Sequence, residues 1–167
     1  ATHIPLIIVS SPGQGKSTFI HIFGEAIDKE DECINMSKSK TSEEFQGQIA
    51  PSEDGFDYKI GSLYKELEKD KIYRIDEFNL ASAELLSFFL TIFKAPYGSY
   101  INHPYIMIKF EKKIDFIATM NPEKFGFGRI QLPTGFTSCS IMYKMEDYTD
   151  FDITSIMLKK FYKYSTI

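Results

Sequence analysis

No apolar run in this sequence approaches the roughly 20 residues needed to span a bilayer. The opening Ala1-Thr2-His3 carries no basic region followed by an apolar stretch, so no secretory signal is read there and no membrane partner is expected. There is no basic block either. Lys+Arg 19 against Asp+Glu 23 leaves a net charge of −4, which makes direct nucleic-acid binding a poor expectation. Cysteine is scarce: Cys33 and Cys139 lie far apart without the C-x-x-C spacing of a zinc or redox site, and His3, His21 and His103 are scattered. Reduced thiols in an intracellular protein are the expectation. No internal repeat, low-complexity tract or N-K-x-D-like guanine motif is present. At 167 residues, 43% of them hydrophobic, the chain suits one domain with a substantial core.

The organising stretch is Ser10-Ser11-Pro12-Gly13-Gln14-Gly15-Lys16-Ser17-Thr18. It follows the apolar run Leu6-Ile7-Ile8-Val9 and precedes an amphipathic segment from Phe19 to Ile27. Strand, glycine-bearing turn, Lys-Ser and helix form the context of a phosphate-binding loop. Gly13 and Gly15 lack Cβ, so the backbone can turn tightly and bring N–H groups against phosphate oxygens. The helix opening near Ser17 adds free N–H donors and the positive end of its dipole. Lys16 would reach the β- and γ-phosphates, and the Ser17 hydroxyl would ligate Mg²⁺. Ser10 stands where the usual pattern has its first glycine. The implied ligand is a nucleoside triphosphate. The loop lies so near the start that a longer parent chain is expected.

Along the chain, Pro5–Val9 reads as a central parallel strand covered on both faces. Phe19, Phe23, Ala26 and Ile27 recur at helical spacing and are expected to form a buried stripe. Cys33–Met36 reads as a second strand, and 37–58 as polar loop with short pieces of helix. Ile60, Leu63, Tyr64 and Leu67 restore helical spacing. Ile72–Ile75 is a strand ending in two acids, and Ser82 can cap a buried helix over Leu85–Phe93. Tyr105–Phe110 and Ile114–Met120 read as strands, 123–136 as loop, Cys139–Met145 as the last strand, and residues from Asp150 as a closing helix. Gly98 and two prolines favour a hairpin around the aromatic stretch Tyr97–Phe110 over a substrate-gripping loop. Alternating strands and helices indicate an α/β parallel sheet.

Two further groups carry chemistry. Asp76-Glu77 ends an apolar strand, and in a parallel sheet that end is where ligands bind. Asp76 would hold Mg²⁺ mostly through water, and Glu77 would act as general base on the attacking water. Taken alone, such a pair also reads as a solvated turn. Asn121, at the tip of Phe116–Met120, carries donors and an acceptor that suit both the γ-phosphate and that water. It also reads as a simple strand end before Pro122.

Together Gly13–Ser17, Ile75-Asp76-Glu77-Phe78-Asn79-Leu80-Ala81 and Ala118-Thr119-Met120-Asn121-Pro122 resemble Walker A, Walker B and sensor 1 of AAA+ ATPases. The block from Asp76 to Ser82, with Gly128-Arg129 and Leu132-Pro133, is most similar to the midasin and dynein-related branch. The resemblance implies a P-loop NTPase three-layer αβα sandwich with strand order 5-1-4-3-2, over residues 1–149. It implies ATP and Mg²⁺ as ligands, with cofactor contacts from Pro12, Gly13, Gln14, Gly15, Lys16, Ser17, Thr18 and Asp76. Metal contacts would come from Ser17 and Asp76, and catalytic ones from Glu77, Asn121 and Lys16. Further implications are a six-module ring of neighbouring AAA+ modules, a protein or ribonucleoprotein substrate, and a nuclear or nucleolar location if midasin-like, otherwise cytoplasmic. That branch interrupts its second helix with an insertion, which fits the polar stretch 41–60.

Two departures stand out. Cys139 occupies the place of the branch's arginine finger, and residues 150–167 only begin the helical lid. An ATP-hydrolysing module and a nucleotide-holding ring module both fit. A stand-alone kinase or GTPase is disfavoured by the DE-x-N-L-A block.

Overall fold

The computed structural model describes residues 4–67, 69–96, 98–102, 107–109 and 115–162. In chain order the strands are β1 (Leu6–Val9), β2 (Asp31–Asn35), β3 (Gly47–Ser52), β4 (Gly55–Ile60), β5 (Ile72–Asp76), β6 (Tyr100–Asn102), β7 (Met107–Lys109), β8 (Asp115–Met120) and β9 (Ile141–Lys144). The helices are α1 (Lys16–Ala26), α2 (Ser42–Gln46), α3 (Ser62–Glu66), α4 (Ala83–Lys94), α5 (Gly135–Cys139) and α6 (Asp150–Tyr162). Five strands form one parallel sheet in the order β2-β5-β8-β1-β9. Counting only those five in chain order gives 5-1-4-3-2, the expected P-loop sandwich.

The apolar strands are buried on both faces because period-2 alternation sends neighbours to opposite sides. Ile7, Tyr73, Ile75, Phe116, Ala118 and Met120 point to one face, where α2, α3, α4 and α5 supply Phe45, Leu63, Leu85, Phe89 and Phe136. Ile8, Ile72 and Ile117 point to the other, where α1 supplies Ile20. Ser82 caps α4 as expected, its Oγ accepting from Leu85 N at 3.2 Å.

Several expectations are corrected. α2 is an expected short piece of helix and α3 falls where helical spacing resumes, but between them lies an antiparallel β3–β4 hairpin, so the insertion into the second helix is a hairpin rather than loop. Its signals were Asp54-Gly55 at the turn and the Phe56, Tyr58, Ile60 alternation. The predicted α1 stripe is exposed: Phe19, Phe23, Ala26 and Ile27 face outward, and only Ile20 and Gly24 are buried. Gly24 permits this close approach, since a Cβ there would meet Lys29 O at 2.9 Å. Residues 123–125 form a 3₁₀ turn and α5 begins at Gly135, inside the predicted loop. Cys139 closes α5 instead of opening the last strand, because the chain turns at Ser140 before β9.

The β6–β7 hairpin is a separate two-stranded sheet, while residues 97, 103–106, 110 and 114 of the predicted strands and aromatic stretch lie outside the described residues. Among the described residues no helix is long and apolar enough to cross a membrane.

Candidate nucleotide site

The site forms at the C-terminal ends of β1, β5 and β8, where the parallel sheet delivers three loops to one place. Pro12, Gly13, Gln14, Gly15, Lys16, Ser17, Thr18, Asp76, Glu77 and Asn121 all line one cleft of about 310 Å³. Thr119 and Asn35, which the sequence reading did not single out, complete it. A larger cleft of about 500 Å³ beside β2 and the β3–β4 hairpin holds none of these residues.

Gly13 and Gly15 adopt φ of 79° and 75°, the left-handed region that a Cβ disfavours. Nothing stands within 4 Å of where a Cβ on Gly13 would lie, so the loop is an open cradle there. Gly15 is the residue before α1 and offers no side-chain cap, which leaves the helix's first N–H groups for an anion.

Lys16 Nζ is folded into this cradle. It donates to Ser10 O (3.1 Å), Ser10 Oγ (3.0 Å), Ser11 O (3.1 Å) and Asn121 Oδ1 (2.7 Å). Ser10, at the place of the first glycine, is therefore a buried acceptor for the lysine. Burial lowers the Lys16 pKa, opposed by the nearby Glu77 and Asp76 carboxylates and reinforced by Arg129.

Asp76 and Thr119 share the α1 face of the sheet, because each sits on the period-2 register opposite Ile75 and Ala118. Thr119 Oγ1 donates to Asp76 Oδ1 at 2.8 Å, and Ser17 Oγ donates to Asp76 Oδ2 at 3.2 Å. Arg74, two residues earlier on the same face, lies 3.6 Å from Asp76 and pairs with Asp31 at 2.6 Å. Ser17 and Asp76 thus bring two hard oxygen ligands together beside the cradle, with the Thr119 hydroxyl on the other Asp76 oxygen. Among the described residues no group of three His, Cys, Asp or Glu could hold a metal. That donor set fits Mg²⁺, which takes one or two protein ligands and completes its shell with water and substrate phosphate.

Glu77 sits at φ 56°, ψ 40°, uncommon for a residue with a side chain and a cost of about 1–3 kcal/mol. The turn aims its carboxylate across the cleft. Asn121 Nδ2 donates to Glu77 Oε1 at 2.5 Å, and Arg129 Nη2 donates to Glu77 Oε2 at 2.9 Å. The buried Asn79 explains its place in the Asp76–Ala81 block. Its Nδ2 donates to Asn121 O at 2.9 Å, and its carbonyl accepts from Ile130 N at 2.9 Å. One asparagine therefore ties the turn after β5 to both ends of the loop after β8.

Cys139 is half-buried against the core on the α4 face, its thiol toward Phe136 O at 3.8 Å. Tyr148 N donates to Gln14 Oε1 at 2.8 Å and so joins the start of α6 to the phosphate loop. No sequence pattern pointed to that contact, because the partners are far apart in the chain.

Comparison with known proteins identifies the family and the fold. Residues 5–134 match the model of the AAA domain, dynein-related subfamily. Midasin of Giardia intestinalis is 26% identical over 132 residues, covering 79% of this chain; the chain spans 3% of that protein's length. The crystal structure of a candidate ATPase from Cytophaga hutchinsonii superposes with a TM-score of 0.68 at 15% identity, over 93% of this chain and 46% of that one, a likeness of fold. The chain belongs to the dynein-related subfamily of AAA domains and is an AAA+ module.

Proposed function

We propose that this module binds ATP with Mg²⁺ and hydrolyses it to ADP and phosphate, as one unit of a ring-forming machine that remodels a macromolecular assembly. The observation that carries the reading is the convergence of Lys16, Ser17, Asp76, Glu77 and Asn121 on one cleft beside an uncapped helix start. Gly13–Ser17 N–H groups and the Lys16 ammonium bind the phosphate chain. Ser17 and Asp76 would hold Mg²⁺, which would supply charge neutralisation for the phosphate chain. Glu77 takes the proton from the attacking water, and Asn121 orients that water against the γ-phosphate.

Residues 1–149 serve as the nucleotide-binding subdomain and 150–167 as the start of a lid. The likeness to midasin supports ribosome assembly in the nucleus or nucleolus as the setting, with neighbouring AAA+ modules and a ribonucleoprotein substrate as partners. A second reading, a nucleotide-holding ring module with little hydrolysis, is favoured by Cys139, since a half-buried thiol presents no guanidinium to a neighbour.

The test is Glu77→Gln in the chain and in a ring or tandem assembly. It should retain Mg²⁺-ATP binding and lose turnover; hydrolysis at the wild-type rate in the assembly would exclude Glu77 as base. Turnover that is equally absent in wild type with neighbours present supports the nucleotide-holding reading.

A further inference from the structure

The two oxygens of the Asp76 carboxylate keep different company. Oδ2 faces the phosphate loop, with Ser17 Oγ at 3.2 Å, Cys33 Sγ at 3.5 Å and Arg74 Nε at 3.6 Å around it. Oδ1 accepts from Thr119 Oγ1 at 2.8 Å, a shorter contact than any on Oδ2. One oxygen is held firmly, and the other is left loosely attended beside the cradle.

Thr119 reaches Asp76 through strand register. β5 and β8 pair Ile75 with Ala118, so the next residues, Asp76 and Thr119, stand side by side on the α1 face. Thr119 is 3% exposed, and a hydroxyl that deep is costly without a partner. A β-branched side chain is also stiff at χ1, so its hydroxyl is a fixed point for the carboxylate.

The carboxylate has somewhere else to go. Arg74 lies two residues earlier on the same face, its Nη1 paired with Asp31 at 2.6 Å. Its Nε is buried without a hydrogen-bond partner, 3.6 Å from Asp76 Oδ2. Charge-assisted hydrogen bonds to a guanidinium are among the stronger ones in a protein. A small rotation of Asp76 would bring Oδ2 onto that buried donor and off Ser17. The Thr119 hydrogen bond on Oδ1 opposes this rotation.

We propose that Thr119 is a positioning residue that holds the Asp76 carboxylate toward Ser17, and so sets the Mg²⁺ concentration that nucleotide binding requires. This rests on Ser17 and Asp76 as the Mg²⁺ ligands. Thr119 acts through the carboxylate: a hydrogen bond to the outer side of a ligand fixes its orientation, and losing one weakens metal binding about 10–100-fold.

The experiment is calorimetric titration of the full chain with the β,γ-imido analogue of ATP, at graded Mg²⁺ and with the metal chelated. Thr119→Val should raise the Mg²⁺ concentration for half-maximal enhancement of binding about tenfold, with affinity under chelation unchanged within about twofold. Thr119→Ser keeps the hydroxyl and should stay within about threefold of wild type. A Mg²⁺ requirement unmoved in Thr119→Val, or moved equally in Thr119→Ser, overturns the inference. So does an equal loss of affinity with and without Mg²⁺, which would make Thr119 part of the packing under the loop. If Thr119→Val loses its cooperative melt, Thr119→Ala is read by the same criteria. Asp76→Asn separates this inference from the reading beneath it. If Asp76→Asn leaves the Mg²⁺ requirement as in wild type, the metal reading has failed, and the role of Thr119 with it. If Asp76→Asn removes the enhancement by Mg²⁺ while Thr119→Val does not raise the requirement, only the role of Thr119 has failed.

Discussion

The two faces of the central sheet are built from the same kind of strand and covered in opposite ways. On one face α4 buries Leu85, Leu86, Phe89, Ile92 and Phe93 against Tyr73, Phe116 and Phe136, and the aromatic rings meet mostly edge to face. On the other, α1 buries only Ile20 and Gly24, and Phe19, Ile22, Phe23 and Ile27 stay exposed. Both helices show apolar residues at helical spacing. What differs is the company. α4 is surrounded by α2, α3 and α5, while α1 is gripped by a short row of isoleucines and by the close approach that Gly24 permits. The thickly packed face holds the sheet together. The thinly packed face carries Asp76, Thr119 and the start of α1, which line the candidate nucleotide cleft. Stability and chemistry are divided between the two sides of one layer.

The largest effect is expected where the packing is deepest. Phe89 is fully enclosed by Phe45, Phe78, Phe88 and Phe93. Phe89→Ala should cost about 3–5 kcal/mol of stability in a denaturant titration. A loss below about 1 kcal/mol would break the division, because the α4 face would then not be the scaffold.

Next comes the site. Lys16→Ala should weaken ATP binding by about 2–4 kcal/mol by calorimetry, the range for truncating one partner of a desolvated charge pair. The melting temperature without nucleotide should hold or rise, since burial already opposes the Lys16 charge. Unchanged affinity would dispose of the phosphate-loop reading.

The counterpart on the thin face is Phe23→Ala, at a residue 41% exposed. It should change stability by about 0.5 kcal/mol or less. A cost as large as that of Phe89→Ala would show that α1 is held as firmly as α4.

The mildest test lies at the lower edge of the sheet, where Lys71 pairs with Glu66 of α3 and with Glu32 of β2. Burial works against the Glu66 charge, but hydrogen bonds from Lys71 and Lys69 outweigh it and hold its pKa below the ordinary 4.5. A depressed carboxyl contributes stability that is present above pH 4.5 and lost as pH falls through the lowered value. Melting temperature followed from pH 7 to pH 3 should fall less steeply in Glu66→Gln than in wild type. Identical slopes would remove the pair from the account.

The strands were legible in the sequence because a parallel sheet buried on both faces leaves nearly continuous apolar runs: Leu6–Val9 is unbroken, and Ile72–Ile75 and Phe116–Met120 are interrupted only by Arg74 and Thr119. The phosphate loop was legible because Gly13, Gly15, Lys16 and Ser17 are contiguous, so their geometry is local. The β3–β4 hairpin was missed because its polar residues outweighed a period-2 pattern and an Asp-Gly turn. The α1 stripe was misread because periodicity marks a face without saying what covers it. Cys139 reads as strand because the β-prone Ile141-Met142-Tyr143 follows it closely and Ser140 between them carries no Gly or Pro turn signal.

By itself the sequence determined the kind of molecule. Hydrophobic period and turn chemistry are properties of neighbouring residues, and they specified an αβα sheet with a phosphate loop after its first strand. Only the tertiary structure decided which distant groups meet. Asn121 between Lys16 and Glu77, Asn79 on the Asn121 carbonyl and Arg129 on the Glu77 carboxylate are contacts across 42 to 105 positions of chain. They exist because parallel register brings the ends of β1, β5 and β8 side by side. Side-chain pairing at that range follows from the register and loop path, and leaves no periodic mark in the chain.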